Sequence, residues 1–153
     1  MADTKLDAGK TAPAFTLKDQ TGETRKLSDS KGHKVLVYFY PKASTPGCTT
    51  QACGLRDIAG DVGDTVIIGI SPDKPAAQAK FDTKYELGFP LLSDPDHAVA
   101  EAYGAWGERS MYGKKYMGIV RSAFVIDEQG AVVEPFYKIS PKDTVPKTLG
   151  AIA

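Results

Sequence analysis

Cys48 and Cys53 are the residues of this 153-residue chain best suited to do chemistry. The nucleophile in thiol chemistry is the thiolate, and an ordinary cysteine is mostly protonated at neutral pH. A helix N-terminus favours the anion through its partial positive charge and unpaired N–H groups. The run Thr45-Pro46-Gly47-Cys48 reads as such a start. Thr45 suits the N-cap and Pro46 the first helical position. The amides of Gly47 and Cys48 are then free to face a small ligand, and Gly47 lets the backbone come close to it. A peroxide O–O bond needs donors of this kind to position it and to stabilise the departing oxygen. The Thr45 hydroxyl, three residues before the sulfur, is within reach of both the thiolate and a peroxide oxygen. On residues alone, a buried core cysteine is the competing reading of Cys48.

Cys53 lies five residues on. On an ideal helix that step rises about 7.5 Å and turns about 140° past a full circle, leaving the Cα atoms roughly 8.6 Å apart on different faces. A disulfide tolerates about 7 Å at most. If this pair bridges, the first turns of the helix must unwind. Gly54, Thr49 and Thr50 lower helix propensity there and ease opening. Alternatively Cys53 only packs and Cys48 works alone. Four residues separate the thiols, so the Cys-x-x-Cys of a thiol–disulfide oxidoreductase is absent. Zinc fits poorly as well: His33 and His97 are the only histidines, and the cysteine spacing is loose for a zinc knuckle.

The surrounding elements alternate between apolar runs and helix-like stretches, the pattern of an α/β fold. Ala14–Leu17 and Thr24–Leu27 flank Thr21-Gly22 and suggest an N-terminal hairpin or paired extended segments. Val35–Tyr40, Thr65–Ser71 and Val120–Ile126 lack alternation and read as strands buried on both faces. Pro75–Leu87 reads as a helix with Ala76, Ala79, Phe81 and Tyr85 as its less polar positions. Phe89–Leu92 is extended, His97–Tyr103 a short helix, and Ala131–Ile139 a strand pairing back across the turn at Asp127–Gly130. Pro141–Ala151 is a final helix with a weak apolar pattern. Trp106–Gly113 either borders the substrate mouth or covers core.

Composition narrows the function. Apolar residues make up 42% and charged residues 25%, ordinary for a globular protein, and the length suits one domain over residues 1–153. The net charge is zero and no basic stripe exists, against a nucleic-acid partner. No apolar stretch approaches a membrane span. Met1–Asp7 is followed by no apolar leader, which points to the cytoplasm. There, two cysteines are more often catalytic or redox-sensing than structural.

Pro41, Thr45 and Cys48 resemble the peroxiredoxin pattern Pro-x3-Thr-x2-Cys, and Gln51–Asp57 resembles the Q-type peroxiredoxins, also called bacterioferritin comigratory proteins. Further likeness lies in Gly9–Phe15, Gly69–Asp73, Phe89–Pro95 and Gly118–Asp127, covering roughly residues 8 to 140. The resemblance implies a thioredoxin-like fold, a central mixed sheet flanked by helices. It also implies a peroxidatic Cys48, a resolving Cys53 in an intramolecular disulfide, Thr45 bonded to the peroxide and Pro41 shielding the sulfur. Arg121 would approach the thiolate, an otherwise odd residue among strand positions unless it has a partner; the alternative is a solvent-facing arginine. By the same resemblance the substrates are hydrogen peroxide and organic hydroperoxides. The reductant is thioredoxin, with glutaredoxin the other candidate, no cofactor or metal is needed, and the chain is a monomer. The part after Pro141 departs from the family's final helix. The rival functions are a redox switch built on the same two thiols and a protein-disulfide oxidoreductase.

Overall fold

The computed structural model describes residues 6–152, so the N-terminal stretch Met1–Lys5 lies outside the described residues. Its centre is β3 (Val35–Phe39), every residue of which is buried. β3 pairs in parallel with β4 (Val66–Ser71), which pairs in parallel with β5 (Leu91–Ser93). The connections are α1 (Pro46–Ile58) and α2 (Pro75–Tyr85), since parallel neighbours need a crossover. On the other side β3 pairs antiparallel with β8 (Ser122–Ile126), and β8 with β9 (Val132–Phe136). The N-terminal hairpin, β1 (Thr16–Lys18) and β2 (Thr24–Lys26), completes the sheet beside β5. The strand order is β2-β1-β5-β4-β3-β8-β9. This is the expected mixed sheet, N-terminal hairpin and flanking helices of a thioredoxin-like fold.

Alternation along β3 builds the two halves of the core. Leu36, Tyr38 and Tyr40 join Cys48, Ala52, Leu55 and Phe81 on the side of α1 and α2. Val35, Val37 and Phe39 join Phe15, Phe124 and Tyr103 on the other, where the short α3 (Ala98–Ala102) lies. Each fully buried Leu, Ile or Phe contributes about 1.5–3 kcal/mol, and β3 supplies both halves.

The edges are unlike the centre. β2 is three exposed residues including Arg25 and Lys26. β9 carries Glu134 and Pro135 opposite Val125 and Phe124, with a register shift at Val125/Ile126.

Several expectations are corrected in detail. β8 starts at Ser122, so Val120 and Arg121 lie in the break before the strand. The buried polar position of α2 is Gln78, whereas Ala76 is exposed and Ala79 half-buried. Trp106–Gly113 is the first arm and turn of a separate hairpin: β6 (Trp106–Met111) pairs antiparallel with β7 (Lys114–Ile119). The C-terminal helix forms as α4 (Thr144–Ile152), preceded by a 3-10 turn over Pro141–Asp143, and it packs against α1. Among the described residues no helix is long and apolar enough to cross a membrane.

Candidate active site

The topology explains how residues 73 positions apart meet. Phe39, at the C-terminal end of β3, pairs with Ser122 at the start of β8. Arg121 therefore sits at the end of β3 from which the chain runs through residues 41–45 into α1. Its Nη2 donates to Cys48 Sγ at 3.4 Å, and its Nη1 donates to Gln51 Oε1 at 2.8 Å.

Cys48 lies in the first turn of α1, as its sequence predicts, with Pro46 opening the helix. The buried positions of this helix are Cys48, Gln51, Ala52 and Leu55, a helical stripe facing the sheet. Cys48 is 1% exposed, so its sulfur is removed from water apart from the guanidinium beside it. Both cysteines are free thiols; Cys53 is half-buried and packs at the margin of the same core. α1 runs unbroken through both, which holds the thiols on different faces.

Gly47 has a steric role that the sequence did not disclose. A Cβ on it would lie 3.2 Å from Arg121 Nη2 and 3.4 Å from Pro141 Cγ. The absent side chain makes room for the guanidinium rather than for backbone approach alone.

Thr45 precedes α1 but does not cap it with its side chain. Its hydroxyl donates to the Lys42 carbonyl at 2.8 Å, which commits its one proton and leaves its lone pairs to accept. Pro41 follows β3 after the single residue Tyr40 and is half-buried. The loop between them is held from below. The Ala43 amide and the Ser71 hydroxyl both donate to Asp73 Oδ2 at 2.7 Å. Gln78 Nε2 donates to Ser71 Oγ at 2.9 Å, and the Tyr40 hydroxyl donates to Gln78 Oε1. This support lets Ser44 keep φ at 66°, an uncommon value for a residue with a side chain.

Beneath the thiols, Tyr38 stacks on Tyr40 with ring centroids 5.4 Å apart. Burial pushes the Tyr38 phenol well above its usual range, and the nearby Tyr40 and Cys48 act in the same direction. Its hydroxyl is buried without a hydrogen-bond partner.

The β6–β7 hairpin borders the site. Glu108 and Arg109 line a cleft of about 340 Å³ together with Val120, Arg121, Lys138, Ile139 and Pro141. The cleft reaches the same Arg121 whose other side faces Cys48. Arg109 is fixed by donating to the Ile119 carbonyl at 2.6 Å. The hairpin's aromatics do not line this cleft: Trp106 stacks on His97 at 3.7 Å and Tyr112 projects outward.

Gln51 and Thr144 are functional candidates that sequence reasoning passed over. Gln51 Nε2 donates to Thr144 Oγ1 at 2.9 Å. A polar residue three positions after Cys48, on the buried stripe of α1, must find partners. That signal points to Gln51; nothing local points to Thr144. Among the described residues no group of three His, Cys, Asp or Glu side chains is placed to hold a metal.

A buried sulfur at a helix start, touched by an arginine, is an arrangement for a stabilised thiolate. Comparison with known proteins identifies the family. Residues 8–134 match the AhpC/TSA family. The chain belongs to that family. It is a peroxiredoxin, an enzyme of the peroxidase class. Peroxiredoxin Bcp of Escherichia coli is 52% identical over 133 residues, covering 86% of this chain and 85% of that protein. The bacterioferritin comigratory protein of Xanthomonas campestris, studied for alkyl peroxide reduction, superposes with a TM-score of 0.87 at 34% identity over 95% of this chain and 97% of that one. Peroxidoxin BcpB of Mycobacterium tuberculosis superposes with a TM-score of 0.84 at 37% identity over 96% of each chain.

Proposed function

We propose that this peroxiredoxin reduces hydrogen peroxide and organic hydroperoxides through Cys48 and is reset through Cys53. The observation that carries the assignment is the Arg121 Nη2 contact to Cys48 Sγ at 3.4 Å, at the first turn of α1. The guanidinium and the helix start favour the thiolate, which attacks one peroxide oxygen. The S–O bond forms as the O–O bond breaks, and the departing alkoxide takes a proton to leave as an alcohol. Arg121 and the helix amides face the charge that develops on that oxygen. Thr45 accepts the peroxide O–H, and Pro41 excludes water from the sulfur.

Cys48 is then a sulfenic acid. The first turns of α1 unwind, the Cys53 thiolate attacks the sulfenic sulfur, and hydroxide leaves and is protonated to water. The intramolecular disulfide is reduced by an external dithiol protein, thioredoxin or a glutaredoxin. Electrons come from thiols alone, so no step calls for a metal or organic cofactor. Both thiols belong to one chain, and we assign catalysis to a cytoplasmic monomer acting as one domain.

The test is mass spectrometry of the reduced protein quenched after mixing with hydrogen peroxide. Wild type should form the Cys48–Cys53 disulfide, Cys48→Ser should be inert, and Cys53→Ser should react and advance to sulfinic acid. A Cys48→Ser variant that consumes peroxide at the wild-type rate would overturn the assignment.

A further inference from the structure

We infer that Thr144, on the C-terminal helix, is a positioning residue for the thiol chemistry: its hydroxyl holds the Gln51 amide in the orientation that presents its oxygen to Arg121. The inference rests on the proposed roles of Cys48 and Arg121. Guanidinium groups only donate, so Arg121 needs an acceptor, and of the two ends of a glutamine amide only the oxygen can serve. The two ends have nearly the same shape, and the surrounding hydrogen bonds choose between them. Gln51 is fully buried, so solvent does not repair a wrong choice.

Thr144 secures that choice from the other end of the amide. Its hydroxyl has one proton, and it donates that proton to the Ser140 carbonyl at 2.9 Å. Toward Gln51, 2.9 Å away, it presents lone pairs alone. The amide nitrogen must therefore face Thr144, and Oε1 faces Arg121, where it accepts Nη1 at 2.8 Å. With one guanidinium nitrogen fixed, the rigid fork aims Nη2 at the sulfur. The relay Ser140–Thr144–Gln51–Arg121–Cys48 thus ties a helix 93 residues from Gln51 to the reacting atom, without Thr144 touching substrate.

The experiment compares Thr144→Val and Thr144→Ser. Valine keeps the shape and deletes the acceptor; serine keeps the acceptor. The second-order rate of Cys48 with hydrogen peroxide should fall about fivefold to tenfold in Thr144→Val and stay within about twofold of wild type in Thr144→Ser. The Gln51 side-chain NH2 signals in the ¹⁵N NMR spectrum should shift and exchange faster in Thr144→Val only. In a Gln51→Glu background, where either carboxylate oxygen accepts from Arg121, Thr144→Val should lose most of its effect. Thr144→Ala replaces the valine variant where valine does not fold. Equal rates in Thr144→Val and wild type, equal losses in the valine and serine variants, or unchanged Gln51 NH2 signals would each overturn the inference. If wild type itself reacts no faster than free cysteine, the peroxidase reading fails, while the NMR comparison still decides whether Thr144 orients the amide.

Discussion

Replacing Arg121 by alanine removes the donor to Cys48 Sγ and the donor to Gln51 together. A hydrogen bond to a charged group is worth about 1.5–3 kcal/mol, so the peroxide rate should drop about tenfold to a hundredfold. Stopped-flow kinetics on the reduced variant measure it, and an unchanged rate would remove Arg121 from the mechanism. Cys48 and Cys53 stood out as candidates because thiols are rare in the chain, and Arg121 because a charge among apolar residues demands a partner, which the structure supplies in Cys48 and Gln51. Their register was less legible, since Arg121 precedes β8 instead of lying in it. Thr45 shows the limit of local reasoning. A threonine before Pro46 predicts a side-chain cap, yet its hydroxyl turns back to Lys42 because the loop 41–45 is tethered by Asp73 from another strand end. The spacing from Cys48 points to Gln51, whereas the contacts of Gly47 and Thr144 are made across the fold and no spacing in the sequence announces them.

At the scale of elements, the proposed mechanism requires α1 to be well packed enough to hold the thiolate and weak enough to open. Leu55 and Ala52 bind it to the sheet, and Gln51 and Val145 hold it to α4. Against this, Gly54 and two threonines lower its intrinsic propensity. Oxidation to the disulfide should strip amide-exchange protection from residues 47–56. It should also loosen the start of α4, because the Gln51–Thr144 bond cannot survive the unwinding. Equal protection of residues 47–56 in both redox states would refute coupled unfolding. The central strands β3, β4 and β8 were readable as apolar runs without alternation. The β6–β7 hairpin was not, because its second arm is exposed on both faces through Met117 and carries no alternation. The weakly patterned C-terminus still forms α4, since its stripe of Thr144, Thr148 and Ile152 buries two hydroxyls that bond within the turn.

For the molecule as a whole, buried phenols set an alkaline limit. Burial raises Tyr38, Tyr40 and Tyr103 above their usual range, the first two with further contributions from nearby groups. A group held protonated in the fold stabilises it fully below the unfolded value and loses that contribution as pH rises beyond it. The unfolded chain releases these protons near pH 10, so stability should fall from about pH 10 upward, by at most about 1.4 kcal/mol per pH unit for each phenol. Denaturant titrations across that range should show a shallower fall for Tyr38→Phe. At neutral pH that variant should be as stable as wild type or more so, because it removes a buried hydroxyl with no partner. A steeper alkaline fall in Tyr38→Phe would contradict this account. The two borders of the sheet bear on a different hazard. Under the proposed mechanism, opening of α1 in each cycle bares apolar surface again and again, and an open strand edge beside it would be a template for fibre growth. Here one border is three residues long and cationic, and the other bears a proline that has no N–H to offer and a register shift that bends it away. Among the described residues, the seven-stranded sheet therefore offers no long unpaired border on which a second chain can zip.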